Sequence, residues 1–178
     1  MNDAFRFLVE VIFDLYLMVV LLRFWLQTAR ADFYNPLSQF VVKATSPLLN
    51  PIRKVIPGFG GFDLASLMLA LIVAALKIVT ISLIFFGGLE PLTVLIGSII
   101  TVIKEGLNLV FWVLIIRAIL SWVSQGYNPI EAIFHQLTEP MLRPIRKIIP
   151  PIGGLDLSIL ILIIGLQFLQ ILFLDLFR

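Results

Sequence analysis

The chain has 178 residues, of which 60% are hydrophobic and 13% are charged, and its formal net charge at pH 7 is +2. A soluble domain of this length would need more polar surface than the chain offers, so the composition indicates a membrane protein. The lack of cysteine excludes disulfides and thiolate chemistry, and the single histidine, His135, cannot form a histidine cluster for a metal or a haem. The sequence also contains no phosphate loop, zinc-protease motif, nucleophile elbow or nucleic-acid-binding basic patch. We therefore expect a non-enzymatic protein without a cofactor or a metal.

The first predicted element is a helix over residues 4–28. The triplet Ala29-Arg30-Ala31 resembles a signal-peptide cleavage site. However, Glu10 and Asp14 lie where a signal peptide has a positive region and an uninterrupted apolar core. We therefore interpret 4–28 as a retained first membrane span.

Three further segments reach the roughly 20 residues that a membrane-spanning helix needs. They are 64–87, 98–125 and 157–177. The stretch 91–97 is predicted to extend the third helix, because Pro91 suits the first position of a helix. Alternatively, 91–103 forms a short span of its own, which would invert the second half of the chain relative to the first.

One long motif occurs twice, at an offset of 93. Residues 35–63 read NPLSQFVVKATSPLLNPIRKVIPGFGGFD, and residues 128–156 read NPIEAIFHQLTEPMLRPIRKIIPPIGGLD. We therefore predict an all-α membrane protein of two tandem, parallel repeats, each a two-span helical hairpin that encloses a cytoplasmic amphipathic loop. The copies differ in charge at some positions, as where Ser46 corresponds to Glu139. The predicted boundaries of the two repeats are 1–90 and 91–178.

Each loop is expected to contain two short helices. Pro47 and Pro140 lack a backbone N–H and clash with the preceding turn, so they should end the first helix. The second helix should begin at Pro51 and at Pro144. In the first loop, several apolar residues follow helical spacing and predict a buried face. They are Leu37, Phe40, Val41, Ala44 and Leu48.

Four residues are candidate helix caps. Asn35 and Asn128 each precede a proline, which is a common start of a helix. Asp63 and Asp156 each precede the outgoing span, where an anion also suits the helix dipole. The two loops should therefore begin and end in the same way.

Each loop carries a pair of bases near its end, Arg53 with Lys54 and Arg146 with Lys147. We consider these four residues candidate contacts for anionic lipid headgroups, made by a helix that lies flat on the membrane. A docking surface for a protein partner, a re-entrant loop and a purely structural role are the alternatives. His135 lies on the second loop helix and is interpreted as an exposed polar residue, not as a ligand or a switch.

The distribution of bases predicts the orientation of the chain. Residues 29–63 and 124–156 hold seven Lys and Arg residues, whereas the opposite side holds three. By the positive-inside rule, both loops face the cytoplasm and both termini face the periplasm of a bacterial inner membrane. Arg23 and Arg117 correspond to each other at an offset of 94 and should reach the interface from the ends of their spans.

Two polar positions lie at matching depth in the first repeat. Asp14 lies nine residues into the first span and Lys77 nine residues from the outer end of the second, so both should be about 14 Å deep. They can form an ion pair, and Asn108 and Gln170 correspond to them in the second repeat. Such groups either hold helices together or line a path for an ion or a proton.

The repeated motif, with the flanking stretches RFWLQTARADFYNP and ILSWVSQGYNP, resembles the YggT family of bacterial integral membrane proteins. The resemblance covers nearly the whole chain and implies a multi-pass inner-membrane protein with no established enzymatic activity. Members of that family have been linked to osmotic-stress tolerance and cation uptake, to cell division and nucleoid organisation, and in chloroplasts to cytochrome assembly. Two hypotheses follow from the resemblance. One is a protein that supports osmotic tolerance or cation homeostasis, with lipid and further copies of itself as partners. The other is a membrane scaffold or assembly factor for cell division or membrane-complex biogenesis.

Overall fold

A computed structural model of the chain describes residues 2–56, 58, 61–123, 128–149 and 156–177. This part of the chain folds into six α-helices and one π-helical turn. The helices are α1 (Asn2–Thr28), α2 (Pro36–Val55), α3 (Leu64–Ile81), α4 (Pro91–Val123), α5 (Pro129–Ile148) and α6 (Leu157–Leu176), and the π-helical turn Ser82–Phe86 extends α3. The predicted all-helical class is confirmed.

Within the described residues, three helices are long and apolar enough to cross a membrane, namely Leu64–Phe85, Pro91–Ser121 and Leu157–Leu176. These segments match the second, third and fourth predicted spans, except that residues 124 and 125 lie outside the described residues. The first helix, α1, has 27 residues and covers the whole predicted first span, but it is not among the three. It carries more charged residues than the three other predicted spans, namely Asp3, Arg6, Glu10, Asp14 and Arg23.

Helix α4 runs without interruption from Pro91 to Val123. The prediction of one long third helix is therefore confirmed, and 91–103 is not a separate element. Its 33 residues correspond to about 50 Å, more than the roughly 30 Å of a bilayer core. Near its start, Gly97 lies so close to α3 that an added Cβ would approach Cδ1 of Ile78 to 2.9 Å.

The prediction that proline divides each loop into two helices was wrong. Helix α2 is continuous through Pro47 and Pro51, and α5 is continuous through Pro140 and Pro144. All four prolines lie on the exposed side of their helices. The backbone carbonyls that lose a hydrogen-bond donor there can bind water or headgroups, so the helix tolerates the loss.

All four predicted caps are confirmed. The side chains of Asn35 and Asn128 accept hydrogen bonds from the backbone N–H two residues later, at 3.0 Å and 2.9 Å. Asp63 accepts from the N–H of Ser66, and Asp156 from that of Ser158 at 3.1 Å. Each cap supplies an acceptor to a helix N-terminus, whose first N–H groups have no partner within the helix.

The buried face of α2 differs from the predicted one. Of the predicted positions, Val41 is buried, but Phe40 is 61% exposed and Leu48 is also exposed. Thr45 takes a core position instead, because its hydroxyl donates to the carbonyl of Val41 at 2.7 Å and so carries no unmet polar group into the core. The full buried set of α2 is Ser38, Val41, Thr45 and Leu49.

The same pattern of packing occurs in the two halves of the chain. Helix α1 packs against α2 and α3, and α2 packs against α3. In the second half, α4 packs against α5 and α6, and α5 packs against α6. Contacts of α1 with α4, of α3 with α4 and of α2 with α5 join the halves. The loop helices are therefore held against the ends of the long helices.

Candidate functional site

Asp14 and Lys77 lie in contact between α1 and α3. The ammonium of Lys77 donates to Oδ1 of Asp14 at 2.6 Å and to Oδ2 at 2.8 Å. Both side chains are partly buried among apolar neighbours, where mutual pairing offsets much of the free-energy cost of desolvating each charge. The pair ties α1 to α3 within the long apolar run of α3.

Asn108 and Gln170 are arranged differently from the first pair. Among the described residues they form no hydrogen bond with each other, and Asn108 instead donates to Oε2 of Glu105 at 3.3 Å. Both amides line a cavity of about 230 Å³ between α4 and α6, together with Lys104 and Glu105. In the first half, the two polar side chains are paired with each other, whereas in the second half the corresponding side chains line a polar cavity.

The side chain of Arg53 forms hydrogen bonds with two other side chains of the protein. Its Nη2 donates to Oδ2 of Asp63, the cap of α3, and to Oε1 of Gln27 at 3.1 Å. Burial alone would raise the pKa of Asp63, but hydrogen bonds from Ser66 and Arg53 outweigh it and lower the pKa below its usual range. Arg53 therefore fixes the end of α2 to the start of α3.

Arg146 makes the equivalent tie in the second half. Its Nη2 donates to Oδ2 of Asp156, the cap of α6, at 2.5 Å, and its Nη1 donates to Oε2 of Glu139 at 2.8 Å. Burial would raise the pKa of both carboxyls, but hydrogen bonds from Arg146 outweigh it, so the pKa of Asp156 and that of Glu139 lie below their usual ranges.

Arg23 and Arg117 were predicted to reach the membrane interface, but both side chains are buried within the protein. Arg23 and Arg117 are each only 7% exposed. Arg117 donates to the hydroxyl of Thr138 and to Oε2 of Glu139, the latter at 3.4 Å. The guanidinium of Arg23 lies 5.5 Å from the ring centre of Phe33. Arg117 therefore contacts the loop helix α5, whereas Arg23 contacts the segment between α1 and α2.

Glu139 lies at the centre of a cluster of charged side chains that was not predicted from the sequence. It accepts hydrogen bonds from Arg117 and Arg146 and lies 3.4 Å from Nε2 of His135, which is exposed as predicted. The signal was present in the repeat, since Ser46 occupies the corresponding position. The role of Glu139 is difficult to predict from the sequence, because the two arginines that it joins are 29 residues apart.

The candidate headgroup contacts divide into two classes. Lys54 and Lys147 are exposed, whereas Arg53 and Arg146 are half-buried and bound to the caps of the following helices. The arginines therefore have structural partners already, and the lysines are the bases that a lipid or a partner can reach.

The two loops also contact each other. Nδ2 of Asn35 donates to the carbonyl of Pro129 at 2.5 Å, and the N–H of Asp32 donates to Oε1 of Gln136 at 2.8 Å. Within the described residues, no group of three or more His, Cys, Asp or Glu side chains is placed to hold a metal ion.

Comparison with known proteins gives a consistent result. The family model described as CCB3/YggT matches residues 2–84 and 96–177. A protein of Vibrio alginolyticus, described as an uncharacterized protein in the proC 3′ region, is 56% identical over 168 residues, which cover 93% of this chain and 91% of that protein. The uncharacterized protein YggT of Escherichia coli K12 is 47% identical over 163 residues, 91% of this chain and 85% of that protein. An uncharacterized protein of Pseudomonas aeruginosa is 47% identical over 175 residues, 97% of this chain and 89% of that protein. No solved structure matches the chain.

Proposed function

The chain belongs to the CCB3/YggT family, and on that premise we propose that it is a non-enzymatic inner-membrane protein that supports osmotic tolerance or cation homeostasis. The observation that carries this proposal is the set of polar groups within the long apolar helices. Charged and amide side chains inside membrane helices are costly, and they commonly mark paths for ions or protons.

The proposed topology has four spans and places both loops in the cytoplasm. Helix α1 crosses the membrane as the first span, since the ion pair with Lys77 compensates Asp14 there. The two repeats are then parallel hairpins, and the seven loop bases face the cytoplasm. Four spans are few for a pore within one copy of the chain, so the proposed path lies between copies in an oligomer.

The cavity between α4 and α6 is the proposed contact point for the ion. Glu105 offers a carboxylate, and Asn108 and Gln170 offer amide oxygens, all ligands that suit a hard cation. Lys104 lies beside them and limits the net charge of the cavity. The Asp14–Lys77 pair then serves as the closed counterpart that holds the first hairpin together.

Flux measurements on the purified protein in liposomes test this proposal. We expect wild-type protein to carry K⁺ or protons and Glu105→Gln to lower the rate at least about tenfold, the effect of losing about 1.4 kcal/mol of interaction. The control is Lys54→Ala on the exposed surface of α2, which should leave the rate unchanged. Lack of flux in wild-type protein that is demonstrably oligomeric would contradict the proposal.

Lys77→Met separates a path from a helix contact in the same assay. If the pair only holds α1 against α3, the variant loses thermal stability and assembly, while the surviving protein keeps its specific flux. If the pair also gates the path, flux changes in protein that remains assembled. Either result assigns a role to the pair that the Glu105→Gln variant does not address.

A membrane scaffold is the second candidate function, favoured by the exposed ends of the loop helices. Val55 and Ile148 are each 80% exposed, and each follows directly after an exposed lysine, Lys54 or Lys147. A basic and apolar patch of this kind suits anionic headgroups or a partner protein. Replacing both lysines with Gln should then abolish localisation or partner capture without changing ion flux, whereas unchanged localisation would exclude this role.

A further inference from the structure

The corresponding buried arginines of the two halves, Arg23 and Arg117, differ in their hydrogen-bond partners. In the second half, the guanidinium of Arg117 has two oxygen partners, the hydroxyl of Thr138 and the carboxylate of Glu139. In the first half, Nε and Nη1 of Arg23 are buried and have no hydrogen-bond acceptor among the described residues. A buried donor without an acceptor loses the free energy of its hydrogen bonds to water and gains nothing in return.

The difference follows from the sequence of the loop helices. Ser46 occupies the position of Glu139, so the first half lacks the carboxylate. The hydroxyl of Ser46 donates to the carbonyl of Val42 at 2.5 Å, and that of Thr45 donates to Val41 at 2.7 Å. These short side chains bond to their own helix and offer no anion to Arg23.

The charges around the two arginines show the same deficit. In the second half, Arg117 and Arg146 are balanced by two carboxylates, Glu139 and Asp156. In the first half, Arg53 is paired with Asp63, and no second carboxylate forms an ion pair with Arg23 in the described part of the chain. Two arginines against one carboxylate leave one uncompensated positive charge, which is costly in a partly buried setting.

In the second half, the corresponding position is occupied from the surface of the protein. Glu139 is 32% exposed although its partner Arg117 is only 7% exposed, so the carboxylate approaches a buried guanidinium from the surface. Ser46 is shorter than Glu139, so a ligand that approaches Arg23 in the same way meets no long side chain at this position, but it must displace the atoms that now cover Nε and Nη1. Phe33 covers a different part of the guanidinium, its face.

We propose that Arg23 binds a phosphate oxyanion in the place that the carboxylate of Glu139 occupies in the second half. Arginine binds phosphate with two parallel N–H···O hydrogen bonds, either along the edge of Nε and Nη2 or along the edge of Nη1 and Nη2, and each edge includes one of the two donors that have no acceptor among the described residues. The phosphate comes either from the headgroup of an anionic lipid or from inorganic phosphate, since both present the same oxygens. In the first half, a bound phosphate thus pairs with Arg23, whereas in the second half the side chain of Glu139 pairs with Arg117.

Two matched substitutions test the proposal on the full chain in detergent. Ser46→Glu supplies the missing carboxylate and should lower phosphate affinity at least about tenfold, which corresponds to about 1.4 kcal/mol. Glu139→Ser removes the carboxylate beside Arg117 and should create a second phosphate site. Inorganic phosphate is titrated by calorimetry, and phosphatidylglycerol that remains bound is counted by native mass spectrometry against phosphatidylcholine.

We expect wild-type protein to bind one phosphate group at Arg23, Ser46→Glu to bind it at least about tenfold more weakly, and Glu139→Ser to bind a second group at Arg117. Binding of phosphatidylglycerol without binding of inorganic phosphate identifies the lipid headgroup as the source, and the reverse identifies the free ion. If wild-type protein binds neither, or if Ser46→Glu binds as well as wild type, the proposal is wrong. Should Ser46→Glu fail to fold, the number of phosphate groups bound by Glu139→Ser decides, and a number equal to that of wild type overturns the proposal.

Discussion

At the scale of single residues, arginine determines how the loops are fixed to the long helices. Arg53 and Arg146 each bind the aspartate that caps the next helix, so one ion pair both caps a helix and closes a loop. A hydrogen bond to a charged group contributes about 1.5–3 kcal/mol when it is buried and well aligned. One position at which the halves differ in charge is Glu139, which joins Arg117 to Arg146 and has Ser46 as its counterpart.

These ion pairs predict how stability depends on pH. The pKa values of Asp63, Glu139 and Asp156 lie below their usual ranges, so the folded protein binds protons to these groups less readily than the unfolded chain does. Their contribution is therefore fully present above the ordinary carboxyl pKa of about 4 and is lost as pH falls through the lower folded-state values. We expect these groups to change the melting temperature of the purified protein little between pH 7 and pH 5 and to lower it as the pH falls below about 4.

Asp156→Asn isolates one of these contributions. The variant should be less stable than wild type by about 1–3 kcal/mol at pH 6, since Arg146 and the start of α6 both lose a charged acceptor. It should lose less stability on acidification, because one depressed carboxyl is gone. Asp175→Asn, at an exposed position near the end of α6, is the control and should follow the wild-type curve. If the melting temperatures of wild type and Asp156→Asn fall by the same amount as the pH is lowered, this explanation is wrong.

At the scale of elements, α3 and α4 are held unusually close by a glycine. A Cβ on Gly97 would meet the end of the flexible side chain of Ile78, which can move, so Gly97→Ala should be tolerated. Gly97→Leu adds three more carbons in the same place and must push the helices apart. We expect a loss of about 1–3 kcal/mol, the usual range for overpacking a helix contact. Thermal unfolding in detergent measures the change.

Gly165 in α6 supplies the matched control. An added Cβ there meets nothing within 4 Å, so Gly165→Leu should leave the melting temperature near that of wild type. Equal losses for the two leucine variants would mean that helix packing at Gly97 is not the cause.

At the scale of the whole molecule, the arrangement of the two halves sets the sidedness of the loops. If the repeats are parallel, Lys54 and Lys147 lie on the cytoplasmic side, and Glu90 and Asp175 lie on the other. The chain has no cysteine, so a single cysteine at any of these positions can be labelled without background. A membrane-impermeant maleimide added to the periplasm should label positions 90 and 175 and spare 54 and 147. Labelling that places 54 and 147 on opposite sides would establish inverted repeats instead.

The sequence by itself determined the elements. Long uncharged runs required helices because a bilayer leaves no other partner for the backbone, and Asn and Asp before each helix predicted the caps, since these are local interactions. Continuous helices through Pro47 and Pro140 were not predicted, because whether a freed carbonyl finds a partner depends on which face of the helix is exposed.

Only the tertiary structure decided which polar groups meet. In the described part of the chain, Glu139 joins arginines from two helices, Arg23 has no such partner, and Asn108 and Gln170 line a cavity instead of bonding to each other. Periodicity places a side chain on a face and at a depth, but it does not determine the rotation of one helix against another. A hydrogen bond depends on distances of a few tenths of an ångström, so the ion pairs and the unpaired arginine are consequences of packing and not of the pattern along the chain.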